Sequence, residues 1–179
     1  MFNDSMALNQ QLGCLLEKSP LPLTGKVQVE HRNKDGDLIG VYDINNGIVD
    51  VGMVALLDSF FRNQTQPAAW YIGIIDNSGY TALANADTMS SHAGWNEFTT
   101  YSQGTRPAWT TVAAASRAIS NTTTTDFSIT GSGTLKGIFI TSNSTKAGTT
   151  GTLWSTATFA SNVAVSNGDT LKITYTVNG

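Results

Sequence analysis

His92 and the polar residues before it are the first candidates for chemistry in this chain. His92 follows Ser90 and Ser91 in one loop segment, and Asp87 precedes them. These residue types make up a hydrolase triad, in which a histidine activates a serine and a carboxylate orients the histidine. The surrounding sequence has no G-x-S-x-G motif between a strand and a helix. The spacing therefore favours a hydrogen-bonded loop over a nucleophilic site.

Two further sets of polar residues could bind a sugar or a cation. Asp87 and Glu97 could be the paired carboxylates of a glycoside hydrolase, although each also suits a turn or a cap. Asn33, Asp35 and Asp37 alternate as calcium ligands do, but the first acid and the terminal glutamate of an EF-hand are missing. No set is specific enough to predict a site. We therefore expect a protein that is not an enzyme and that binds no metal or cofactor.

The one cysteine and one glycine-rich string add no chemistry. Cys14 is alone, which excludes an intrachain disulfide and a multi-cysteine zinc site. We expect Cys14 to act as a small apolar side chain rather than as a nucleophile. The string Gly-Ser-Gly-Thr-Leu-Lys at 131–136 lacks the order of a phosphate-binding loop and predicts a hairpin turn.

The composition of the chain argues against a nucleic-acid or membrane partner. The chain has 179 residues, of which 40% are hydrophobic, and a formal net charge of −3. A low net charge with many aromatic residues argues against intrinsic disorder. The ten basic residues are scattered, so no basic face for nucleic acid is expected. No apolar run approaches the roughly 20 residues of a membrane span, so we expect neither a nucleic-acid nor a membrane partner.

Residues 1–25 are predicted to form an amino-terminal arm, separate from a domain at 26–179. Four leucines share one helical face by their spacing of i, i+4, i+7 and i+8: Leu8, Leu12, Leu15 and Leu16. The following Ser-Pro-Leu-Pro segment at 19–22 ends that helix and favours an extended exit. The arm is either a frayed terminus or a segment that folds onto a neighbouring subunit.

Residues 26–62 predict a β-hairpin followed by one helix. Residues 26–44 alternate on either side of an Asn-Lys-Asp-Gly turn at 33–36, which is typical of a hairpin. The helix is expected at about 48–62, with Asn46 or Gly47 as the residue that starts it. Its apolar stripe is expected to face a sheet and consists of Val49, Met53, Leu56, Leu57 and Phe60.

The opposite side of this helix is also apolar, because it carries Val51, Val54, Ala55 and Phe61. A helix that is apolar around most of its circumference is buried on more than one side. We therefore expect the helix to pack on a sheet and to be covered by a second surface, from this chain or another.

Residues 63–179 read as a series of short strands. They hold 24 of the 25 threonines but only 10 of the 23 charged residues. Alternating segments recur between Gly, Asn, Ser and Thr clusters, and the clearest is Leu171 to Val177. This pattern predicts a mainly β fold: an antiparallel β-sandwich, jelly-roll-like, with one packed α-helix and an amino-terminal arm.

All four tryptophans lie in this second region. If Trp95 and Trp109 were exposed they could stack on sugar rings, as in a lectin. Tryptophans more often fill a core or a subunit interface, and the sequence favours that interpretation.

Several strings together suggest a family. They occupy residues 45–60, 70–77, 87–98, 101–109, 148–154 and 167–177, among them Trp-Tyr-Ile-Gly-Ile-Ile-Asp-Asn at 70–77 and Asn-Gly-Asp-Thr-Leu-Lys-Ile-Thr-Tyr-Thr-Val at 167–177. The combination resembles virion proteins of tailed bacteriophages that are commonly encoded close to the major capsid gene and often suspected to be head decoration (cement) proteins. The resemblance covers about residues 26–179, so it implies nothing about the arm.

This resemblance implies a structural protein that binds the outside of an assembled capsid and stabilises it. The implied partner is the major capsid protein, and the implied location is the outer capsid surface of the virion, after synthesis in the host cytoplasm. It carries no catalytic residues. A threefold or quasi-threefold site on the shell favours a homotrimer. The alternatives are a low-copy tail or fibre-adaptor component and a carbohydrate-binding β-sandwich module.

Apolar residues without an evident partner are the candidate contacts. The capsid-contact candidates are Leu8, Leu12, Leu15, Leu16, Pro20 and Pro22. The self-association candidates are Val51, Val54 and Phe61.

Overall fold

The structure is a computed structural model, and it describes residues 23–179. The capsid-contact candidates lie outside the described residues: Leu8, Leu12, Leu15, Leu16, Pro20 and Pro22. Cys14 also lies outside them.

Nine strands and one helix form the described part of the chain. In chain order these are β1 (Thr24–Arg32), β2 (Leu38–Ile48), α1 (Asp50–Phe61), β3 (Tyr71–Asp76), β4 (Asn96–Phe98), β5 (Ala118–Ser120), β6 (Thr125–Ser128), β7 (Gly133–Thr141), β8 (Leu153–Val165) and β9 (Thr170–Asn178). Every pairing between strands is antiparallel. The predicted mainly β, antiparallel fold with one helix is confirmed.

The strands form one sheet that curls on itself. Their order is β4-β3-β7-β8-β2-β1-β9-β5, and β6 pairs with the same edge of β9 as β5 does. A bridge between Tyr101, which follows β4, and Ile129, which follows β6, brings the two ends of the sheet together. The inner faces of both halves share one apolar core, as the two layers of a sandwich do.

The first hairpin confirms the predicted turn. Asn33 begins it, and its side-chain oxygen accepts hydrogen bonds from the backbone N–H groups of Asp35 and Asp37, both at 2.9 Å. Gly36 has a φ of 87°. Glycine adopts this value readily because glycine has no Cβ. Asn33 and Gly36 therefore form the turn that joins β1 to β2.

A second apolar cluster lies on the outer face of the sheet. It contains Trp95, Met89, Phe139 and Leu153, and the loop between β3 and β4 supplies the first two. Gly73 makes room for it, since a Cβ at that position would lie 2.1 Å from the ring of Phe139. Strand β3 is buried on both faces, as are the second half of β7 and the first half of β8, whereas burial alternates along β1 and β9.

The helix departs from its predicted orientation. It begins at Asp50, because β2 continues through Asn46 and Gly47 and pairs with β8 as far as Ile48. Three of the five residues expected to face the sheet are exposed: Leu56 is 40%, Leu57 47% and Phe60 78% exposed. The predicted apolar stripe was therefore wrong for these three residues, whereas Val49 is buried and Met53 is half-buried.

Gly52 explains this orientation. It is the one buried residue within α1, and a Cβ there would lie 2.4 Å from the carbonyl oxygen of Trp154 in β8. The backbone N–H of Val49 donates to the same carbonyl at 3.1 Å. The helix is thus anchored to the sheet by backbone contact in its amino-terminal half.

Candidate interaction surface

The residues of the possible triad hold a loop in place. Oδ2 of Asp87 accepts hydrogen bonds from the indole N–H of Trp95 at 2.9 Å and from the backbone N–H of Ala84 at 3.0 Å. His92 stacks on Trp95 with ring centroids 4.0 Å apart, and its Nδ1 lies 3.0 Å from the carbonyl oxygen of Trp95. Asp87 and His92 therefore both secure Trp95, and neither orients the other toward a serine.

The contacts of Glu97, like those of Asp87 and His92, hold segments of the chain together. It forms an ion pair with Arg106 at 2.8 Å, with side chains 5% and 1% exposed. The backbone N–H of Ala147 donates to the same carboxylate at 2.6 Å. A carboxylate that is used in this way does not pair with Asp87 as a glycosidase acid and base would.

Arg106 is the residue that sequence reasoning missed at this site. It is the only lysine or arginine between positions 63 and 116, and that isolation was the one available signal of a special role. Beside it, Nζ of Lys146 lies 3.8 Å from the ring centroid of Tyr101. Burial raises the pKa of Tyr101, and the nearby charge of Glu97 raises it further. Burial also lowers the pKa of Lys146.

His31 and Asp169 form a second buried pair. Nε2 of His31 lies 2.8 Å from Oδ2 of Asp169, and the two side chains are 2% and 8% exposed. Asp169 also accepts the backbone N–H of Ser166 at 2.9 Å, which fastens the β8–β9 turn to β1. Among residues 23–179, no three His, Cys, Asp or Glu side chains come together as a metal site.

The tryptophans divide between core and groove. Trp95 is 1% exposed, so the sequence-based alternative that used it as an exposed sugar platform was wrong for this residue. Trp109 is half-buried, and its indole N–H donates to the side chain of Asn121 at 2.7 Å and to the carbonyl of Tyr175 at 3.0 Å. Trp154 donates its indole N–H to the hydroxyl of Tyr175 at 2.7 Å.

A groove of about 280 Å³ lies between α1 and the sheet, and its walls are mostly apolar. Three of the four tryptophans line it. The lining residues are Leu23, Ala55, Leu56, Ser59, Gln66, Pro67, Trp70, Trp109, Ile119, Trp154 and Val177.

The exposed side of α1 continues from this groove. Phe60 and Phe61 are 78% and 75% exposed and pack edge to face on each other, with centroids 4.9 Å apart. Val54 is 57% exposed. Of the self-association candidates, Val54 and Phe61 thus lie on the exposed side, whereas Val51 is half-buried against the outer cluster.

This surface is the strongest candidate for function in the described residues. A single twelve-residue helix carries several large, exposed apolar side chains. Scattered single apolar residues need no explanation, but a contiguous group of them indicates a binding surface.

No helix among residues 23–179 is both long and apolar enough to cross a membrane. No protein-family model matches the chain, and no curated protein matches it in sequence.

Proposed function

We propose that this protein is a structural component of a tailed-bacteriophage virion that binds the outside of the assembled capsid and stabilises it. One observation carries the proposal: α1 is held to the domain through Gly52 and presents Val54, Leu57, Phe60 and Phe61 to solvent. Burial of such a surface stabilises an assembly by roughly 25 cal/mol per Å² of apolar area.

The polar residues support a structural role by their contacts. The carboxylates of Asp87, Glu97 and Asp169 each accept hydrogen bonds from buried or backbone donors that hold loops together. Residues used in this way contribute to a rigid domain. Together with the resemblance of residues 26–179 to phage virion proteins, this favours a binding protein over an enzyme.

Stabilisation of the shell follows from mass action. A protein that binds the assembled capsid and not its separate subunits shifts the equilibrium toward the assembled form. Self-association through Val54 and Phe61, as a trimer on a threefold or quasi-threefold site, would let one oligomer contact several capsid subunits. Avidity would then replace high affinity at each contact.

The copy number in purified particles tests this proposal. Quantitative mass spectrometry of this chain relative to the major capsid protein is expected to give the ratio of a repeating lattice component. A few copies per particle would instead indicate the tail or fibre-adaptor alternative, and absence from the particle would overturn both.

The carbohydrate-binding alternative rests on fewer residues than the sequence suggested. With Trp95 in the outer cluster, Trp109 is the remaining candidate platform, and its indole N–H is already hydrogen-bonded. Titration with polysaccharides and measurement of tryptophan fluorescence would test it. Saturable quenching would favour that alternative over capsid decoration.

A further inference from the structure

Strand β2 has an unpaired edge along most of its length. It pairs with β1 from Leu38 to Asn46, but it pairs with β8 only at Gly47 and Ile48. Among residues 23–179, no other strand pairs with β2. The stretch from Leu38 to Asp43 therefore has a neighbouring strand on one side only.

The backbone groups of Val41 and Asp43 point away from β1. The N–H of Val49, which directly follows β2, donates to the carbonyl oxygen of Trp154 in β8 at 3.1 Å, so Val49 faces the β8 side. Backbone groups alternate between the two sides of an antiparallel strand, and the register of β2 against β1 is regular from Gly40 onward. In the described part of the chain, Val41 and Asp43 therefore have no strand on the side that their N–H and C=O groups face.

This edge is apolar, and it lacks the features that protect the other edges of the sheet. Leu38 is 52%, Ile39 54% and Val41 46% exposed. Proteins usually keep edge strands very short or place proline or lysine on them, because an open edge is a template for another strand. Strands β4 and β5 have three residues each and β6 has four. Residues 38–43 contain neither proline nor lysine, so the β2 edge is open to pairing.

Charges at the two ends of this edge favour a partner other than a second copy. Asp37 and Asp43 flank the apolar stretch, and both are exposed. Within residues 23–179, Asp37 has no ion pair, and Asp43 has one with exposed Lys26 at 3.6 Å. Antiparallel pairing of two copies about Gly40 would place Asp37 of each copy opposite Asp43 of the other, and like charges directly opposite each other destabilise a sheet. A strand with a basic residue at each end would be attracted instead.

We propose that the edge at 38–43 accepts an extended segment of another protein as an added β-strand, and that this segment is apolar and flanked by lysine or arginine. Backbone hydrogen bonds to Val41 and Asp43 hold the segment, and its alternate side chains contact Ile39 and Val41. The exposed side of α1 is left for self-association. The inference goes beyond the proposed function, because it concerns an edge that the proposed function does not use.

A short peptide tests the proposal on the ¹⁵N-labelled full-length protein. The peptide Lys-Thr-Val-Thr-Val-Thr-Lys, with both ends blocked, presents the same order of residues to a parallel or an antiparallel site. Hydrogen exchange of the Val41 and Asp43 amides, followed by NMR, is expected to slow roughly tenfold when the free peptide is at ten times its Kd. The amides of Gly40 and Tyr42 face β1 and are expected to be protected before the peptide is added.

Two results of this experiment would overturn the proposal. One is the absence of binding, or binding that leaves exchange at Val41 and Asp43 unchanged. The other is slow exchange at both amides before the peptide is added, because the edge would then already be covered by this chain or by a second copy.

Two variants of Val41 separate strand pairing from simple apolar contact. Val41→Pro removes the outward N–H, a position at which an edge strand tolerates proline, and is expected to abolish peptide binding. Val41→Thr keeps the N–H and the β-branched shape, so it is expected to retain binding. The amide signals of β9 report whether both variants are folded. Equal binding by two folded variants would contradict strand addition.

Reversal of charge tests the predicted chemistry of the partner without changing the backbone. The peptide Glu-Thr-Val-Thr-Val-Thr-Glu is expected to bind at least about fivefold more weakly than the lysine peptide, because it brings carboxylates to Asp37 and Asp43. A protein with both Asp37→Lys and Asp43→Lys should prefer the glutamate peptide. An unchanged preference would overturn the assignment of a basic partner segment. The copy number in particles is measured separately, so failure here leaves the proposed function standing.

Discussion

Glu97 and Arg106 form a two-point ion pair inside the protein. Nε and Nη2 of Arg106 donate to the two carboxylate oxygens of Glu97 at 2.9 and 2.8 Å. The same guanidinium donates to the carbonyl oxygens of Asn143 and Gly148 at 2.9 and 3.0 Å. The pair therefore fastens the segment after β4 to the loop between β7 and β8, across one end of the curled sheet.

Replacement of Arg106 by methionine is expected to lower the free energy of unfolding by about 3–5 kcal/mol, because it leaves a buried carboxylate without its partner. Urea denaturation followed by circular dichroism measures this loss. Arg62→Met is the control, since the exposed pair of Arg62 and Asp58 is worth at most about 0.5 kcal/mol. Equal losses in the two variants would contradict the structural role of Glu97 and Arg106.

Gly52→Ala is expected to destabilise the protein by about 1–3 kcal/mol, as overpacking does, although alanine is the better helix former. The added Cβ would lie 2.4 Å from the carbonyl oxygen of Trp154, so α1 would have to move away from β8. Gly47→Ala is the matched control, because a Cβ there meets nothing within 4 Å. Thermal denaturation compares the two, and a stabilised Gly52→Ala protein would contradict the packing described for α1.

Stability is expected to fall above about pH 10, the usual pKa of tyrosine. Burial raises the pKa of both Tyr101 and Tyr175, so the unfolded chain loses these protons first as the pH rises. Each tyrosine then lowers the free energy of unfolding by about 1.4 kcal/mol per pH unit until its folded-state pKa is reached. The lowered pKa of Lys146 acts in the opposite direction.

Tyr101→Phe separates these contributions. Urea midpoints measured between neutral pH and pH 11 should decline less steeply in this variant than in the natural sequence. Absorbance of the tyrosinate ion should show fewer residues that titrate only on unfolding. Identical pH slopes for the two proteins would exclude Tyr101 as a source of the alkaline loss.

Charge on the exposed side of α1 is expected to weaken the self-association proposed for Val54 and Phe61 without unfolding the domain. Val54→Asp with Phe61→Asp should shift sedimentation toward the monomer, because it places carboxylates in an apolar contact. Val41→Asp is a control, since Val41 is 46% exposed on the separate β2 surface. An unchanged oligomer in the α1 variant, or dissociation in the Val41 variant, would show that the exposed side of α1 is not the interface.

The sequence by itself determined the local structure of several elements of this protein. Strict alternation in residues 171–177 predicted β9, and the Asn33 to Gly36 turn predicted the first hairpin, because side-chain period and turn chemistry are properties of neighbouring residues. The helix was also predicted to within two residues at its start and one at its end. These features depend on contacts that are close in sequence.

Tertiary structure alone decided which surfaces are buried. Periodicity places Leu57 and Phe60 on the apolar side of α1, but the close approach of the backbone at Gly52 leaves both side chains exposed to solvent. Trp95 became buried because the long loop after β3 folds over the outer face of the sheet. These outcomes depend on contacts between segments distant in sequence, and local side-chain patterns carry no information about which of two apolar faces such a contact will cover.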